Sequence, residues 1–117
     1  PIGHGVVCGT LLAAACAVNI EALQARAPDS PALWKYAEVG RLLTGQAALD
    51  DAAARAALVA TLTEWTTTLR LPPLTALGVT VESVPRIVAH ARGSSMKTNP
   101  VLLTDDELVQ LLQRRWA

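Results

Sequence analysis

The feature that most constrains this chain is a stretch near its start, residues 6–24, with no charge until Glu21 and apolar residues on nearly every face. A helix with that pattern has no solvent side and is normally buried all round. Composition points to other helices as the cover. Ala (21) and Leu (18) supply most of the apolar residues, Phe is absent and only three Ile occur. Ala and Leu lose little freedom in a helix, whereas sheets favour β-branched and aromatic residues, so an all-α fold is expected. At 117 residues the chain makes about one domain with a modest core.

The remaining punctuation predicts a bundle of about five to six helices. Ser30 followed by Pro31 reads as an N-cap with Pro in the first turn, opening a helix over residues 31–44 that ends at Gly45. Its apolar face is Leu33, Tyr36, Ala37, Gly40 and Leu43. The longest amphipathic helix begins at Asp50 or Asp51 and runs to about Arg70, with Ala54, Leu58, Thr61, Leu62, Trp65 and Leu69 as its stripe. Pro72 and Pro73 stop it. Leu74 to Leu77 make one turn closed by Gly78, and Thr80 caps a helix holding Val84, Ile87, Val88 and Ala91. Residues 93–100 read as a polar loop, and Thr104 with Glu107 forms a capping box for the last helix. Trp34 and Trp65 are assigned to the core.

Charge and cysteine usage narrow the function classes. Ten basic residues balance ten acidic ones, so the footprint of a nucleic-acid binder is missing. The longest purely apolar run, residues 11–18, falls short of the roughly 20 a bilayer needs, so no membrane span is expected. No basic segment precedes it as in a signal peptide. Cys8 and Cys16 lie eight residues apart on one helix, about 12 Å, too far for a disulfide. A reducing, cytoplasmic setting fits. The chain opens on Pro inside a patterned segment, as a fragment would.

No motif completes a catalytic site. There is no Walker loop, CxxC, HExxH or GxSxG, and no catalytic residue is assigned. His4, between Gly3 and Gly5 at a helix start, is the foremost candidate. The helix dipole there favours the neutral imidazole that a metal takes, although one His is not a metal site and an exposed terminal His has the same pattern. Cys8, one turn later, reads as a small buried hydrophobe. His90 reads as solvated or weakly capping, and Arg114 and Arg115 suit the end of the last helix. Two hydroxyls, Lys97 and Asn99 in residues 94–100 suit either contact with an anionic substrate group or a solvated connector.

An ordered series of landmarks carries more. The segment Pro1-Ile2-Gly3-His4-Gly5-Val6-Val7-Cys8-Gly9-Thr10-Leu11-Leu12 resembles the His-Gly-Val-x-Cys-Gly segment of the iron-containing (group III) alcohol dehydrogenases, relatives of maleylacetate reductases and dehydroquinate synthase. Asn19 resembles the Asn closing that family's buried helix, and Tyr36-Ala37-Glu38 its Tyr-Ala-Glu/Asp helix. Leu71-Pro72 with Leu77-Gly78-Val79 resembles its linker, Ser94-Ser95-Met96-Lys97-Thr98-Asn99-Pro100 its Asn-Pro loop, and Leu103-Thr104 with Glu107 its terminal helix.

The resemblance implies the C-terminal half of a dehydroquinate synthase-like helical domain, with the nucleotide-binding domain absent. In that family an Asp and three His hold iron or zinc. The metal polarises the substrate oxygen while NAD(P) exchanges a hydride. His4 would be the last of those His ligands, with Lys97 and Asn99 near a cleft for a small alcohol or aldehyde. The chain would be inactive alone, with the upstream part of the same enzyme as its partner. The apolar first helix would also favour homo-oligomers. The alternative is a non-catalytic helical interaction module, or a degenerate relative, docking through that helix.

Overall fold

The computed structural model describes residues 3–117, apart from the side chains of Ser94 and Ser95. Pro1, Ile2 and those two serine hydroxyls, all named above, lie outside the described residues. Among the described residues, six helices, α1 (His4–Arg26), α2 (Pro31–Thr44), α3 (Asp51–Thr68), α4 (Val84–His90), α5 (Ser94–Lys97) and α6 (Asp105–Gln113), are joined with 3-10 turns at Leu74–Leu77 and Val81–Ser83. Among the described residues there is no strand, and the fold is the expected all-α bundle.

Helices α2 and α3 form a hairpin whose ends are set by local chemistry. Ser30 Oγ accepts from the Ala32 N–H at 3.2 Å, and Gly45 closes α2 at φ 69°. Asp50 Oδ1 then accepts from the Ala53 N–H at 2.8 Å to open α3. Arg41 ties the two ends together through Asp51 (2.5 Å) and the Leu49 carbonyl (2.9 Å). The contact itself is made by small residues. Ala37 and Ala54 are wholly buried, and at Gly40 an added Cβ would sit 2.0 Å from the Ala54 carbonyl oxygen.

The second half of α1 is the axis of the core. Val18 and Ala22 pack with Leu74, Val88, Leu103, Leu108 and Leu112, while Ile20 and Leu23 pack with Leu33 of α2. The first half is not sheathed. Among residues 3–12 only Thr10 is buried, and Val6 and Leu12 are exposed, which corrects the expectation of burial all round. At 1.5 Å per residue α1 is about 34 Å long, and the shorter helices cover only part of it. The radius of gyration, 14.6 Å, accordingly exceeds the roughly 13 Å typical of this length.

Two further expectations need correction, and the ground for a third is narrower than it looked. The expectation of no membrane span rested on an unbroken apolar run, whereas α1 is 23 residues long and its most apolar 18-residue stretch has mean hydropathy 1.9, with 44% of that stretch buried inside the fold. Thr10 and Asn19 interrupt the run without adding charge, so α1 has the length and composition of a membrane span, a pattern that the core helix of a globular fold shares. Trp34 and Trp65 are 55% and 46% exposed, and Leu43 and Leu69 also face outward. The buried face of α3 steps strictly by four through Ala54, Leu58, Leu62 and Thr66, which leaves Trp65 one position off. Thr66 satisfies its buried hydroxyl by donating to the Leu62 carbonyl at 2.7 Å. Finally, the 93–100 loop contains the single turn α5.

Helix α6 begins at the expected capping box. The Thr104 hydroxyl accepts from the Glu107 N–H at 3.1 Å, and Glu107 accepts from the Thr104 N–H at 2.8 Å. Arg26 at the end of α1 donates to Glu107 at 2.7 Å and to the Leu102 carbonyl at 2.8 Å. The Arg26 hydrogen bond, helped by the Thr104 N–H, holds the Glu107 carboxyl down at about 2. A carboxyl depressed in the folded state adds stability above its ordinary value of 4.5 and loses it as pH falls toward 2. Urea midpoints measured from pH 6 to pH 2 should therefore fall less steeply in Glu107→Gln than in the natural chain, and parallel curves would contradict this coupling.

Candidate metal and substrate site

His4 is the first residue of α1, after an extended Gly3 that offers no side-chain cap. Residues four apart share one helical face, and this brings His4 Nε2 to 3.3 Å from Cys8 Sγ. Both side chains are exposed, so Cys8 is not the buried hydrophobe expected; it stands on the uncovered half of α1. The pair suits a shared cation. A metal about 2.1 Å from an imidazole nitrogen and 2.3 Å from a thiolate holds the two about 3.6 Å apart at a tetrahedral angle. No cluster of three metal-ligating side chains occurs among the described residues, so His4 and Cys8 offer at most part of a ligand set.

Asn99 occupies a different place. It exchanges hydrogen bonds with Asn19, Nδ2 to Oδ1 at 2.8 Å one way and 3.0 Å the other, and also donates to the Val101 carbonyl at 2.7 Å. Asn19 donates in addition to the Tyr36 hydroxyl at 3.1 Å. Burial pushes the Tyr36 phenol up, against the pull of that hydrogen bond, and keeps it neutral. Both donors of the Asn99 amide are thus engaged, one holding its segment against α1 and the other closing a bond within the segment. Lys97 is exposed at the end of α5, and no described contact joins it or Asn99 to His4.

The sequence reading missed a second polar junction. Thr10, 1% exposed, donates to the Pro72 carbonyl at 2.6 Å and accepts from Arg115 Nε at 2.8 Å. Arg115 also donates to the Leu71 carbonyl, and Arg114 pairs with Glu21 at 2.5 Å. These arginines do more than suit the end of α6: they dock the chain terminus on α1. A signal was present, because a polar residue inside an apolar helix needs a buried partner. His90 is exposed and donates from Nδ1 to the Arg86 carbonyl of its own helix at 2.8 Å. Comparison with protein-family models, curated proteins and solved structures finds no match to this chain.

Proposed function

We propose that this chain is the C-terminal helical part of a metal-dependent, NAD(P)-linked alcohol dehydrogenase of the iron-containing type, inactive alone. The observation that carries the reading is the meeting of Asn19, Tyr36 and Asn99. These three landmarks of the family-like series lie far apart in sequence and share one hydrogen-bond network. Two others meet as well, because Thr10 of the His-Gly segment bonds the Pro72 carbonyl of the linker.

Helix α1 links the landmarks to the chemistry. Asn19, locked to Asn99, fixes the helix whose first residue is His4, so the imidazole is presented on an axis anchored in the core. A divalent iron or zinc ion bound there would supply the Lewis acid that polarises the substrate oxygen. His4 would be one ligand, with the Cys8 thiol one turn away on the same face. Lys97 is a cation available to an acidic end of a small alcohol or aldehyde. The other ligands and the cofactor domain would come from the upstream part of the same enzyme.

The exposed apolar half of α1, with Val6 and Leu12 open to solvent, favours a second reading as a docking module. Enzyme assays on the whole gene product separate the two. The dehydrogenase reading expects nicotinamide-linked oxidation of small alcohols that chelation abolishes and Fe²⁺ or Zn²⁺ restores, with metal affinity at least tenfold lower in His4→Ala. Activity that survives chelation, or none with either nicotinamide, would favour the module.

A further inference from the structure

Between α1 and α3 run two adjoining cavities of about 190 and 280 Å³, both lined by Ala17, Val59 and Arg114. The hollow exists because Ala13, Ala14 and Ala17 on α1 are too small to fill the space facing α3. Its polar lining is unbalanced. Arg55, Arg114 and Arg115 contribute three positive charges and Glu21 one negative, a net of +2 in a chain whose total charge is zero. Two of the cations are fixed in place: Arg115 by Thr10 and the Leu71 carbonyl, Arg114 by Glu21. The third is held more loosely: Arg55 donates from Nη1 to the Leu33 carbonyl at 3.3 Å. Neither Arg55 nor Arg115 is in an ion pair, so no carboxylate among the described residues offsets the +2 excess of the lining.

We propose that this cleft binds a small phosphate-type dianion at Arg114, flanked by Arg55 and Arg115. Its charge matches the +2 of the walls. The guanidiniums reach the cleft from two elements, α3 and the segment after α6. A tetrahedral phosphate accepts from several directions, whereas a carboxylate accepts in one plane. The site is separate from the metal site assigned to His4 and does not depend on that assignment.

Titration of the 117-residue chain with inorganic phosphate, followed by amide chemical shifts at constant ionic strength, tests this directly. Saturable shifts at Ala17 and Val59 are expected, absent with chloride. Arg55→Gln and Arg114→Gln should each weaken binding at least fivefold, with folding checked by circular dichroism. Glu21→Gln removes the one acidic side chain in the lining and should tighten binding, a gain that damage to the fold does not produce. Shifts identical in phosphate and chloride, affinity unchanged in both arginine variants, or weaker binding in Glu21→Gln would overturn the proposal. Equal affinity for acetate would overturn the preference for a dianion.

Discussion

Gly40→Ala is expected to destabilise the chain by about 3 kcal/mol, at the upper end of what overpacking costs. The new Cβ would lie 2.0 Å from the Ala54 carbonyl oxygen and 3.3 Å from the Leu58 Cβ, so α2 and α3 have to separate. Backbone is the obstacle on the near side, and it cannot swing away as a side-chain tip can. For a domain of this size that loss lowers the melting temperature by roughly 10 °C. Gly45→Ala is the comparison. Its cost is strain at φ 69° with no atom within 4 Å of the added Cβ, and it should be about 1 kcal/mol. Equal losses in thermal unfolding of the two variants would mean that α2 and α3 do not meet through Gly40.

Asn99→Ala should cost about 2 kcal/mol, because it leaves the buried Asn19 Oδ1 without its donor and Nδ2 with the Tyr36 hydroxyl alone. The signature of the paired amides is non-additivity. Replacing both residues with Leu removes donor and acceptor together and should cost less than the sum of the single changes, with a coupling of at least 1 kcal/mol. Additive losses in a urea double-mutant cycle would dissolve the junction between α1 and the 94–100 segment.

Helix boundaries were legible where a cap residue announced them. Ser30, Gly45, Asp50, Gly78 and Thr104 each sit where the sequence placed a start or a stop. Which face of each helix turns inward was less legible. Hydrophobicity assigned Trp65 to the core, yet the close α2–α3 contact selects Ala54, Leu58 and Leu62 and turns the large ring outward. For α1, apolarity measured the demand for cover but not how much cover the shorter helices provide. The polar junctions were half visible. Asn19 and Thr10 stand out in an apolar helix, but their partners lie 80 and 62 residues away, a pairing that periodicity does not encode. Of the site residues, His4 was placed at its helix start with Cys8 one turn on, but Cys8 was read as a buried hydrophobe, so its exposed contact with His4 was not anticipated.

The central claim is that His4 binds a metal in a larger dehydrogenase. X-ray absorption at the metal edge of the whole gene product, with its iron or zinc bound, measures this most directly. The account predicts imidazole scatterers at about 2.0–2.1 Å, one fewer in His4→Ala than in the natural protein. An identical ligand shell in the two proteins would contradict it.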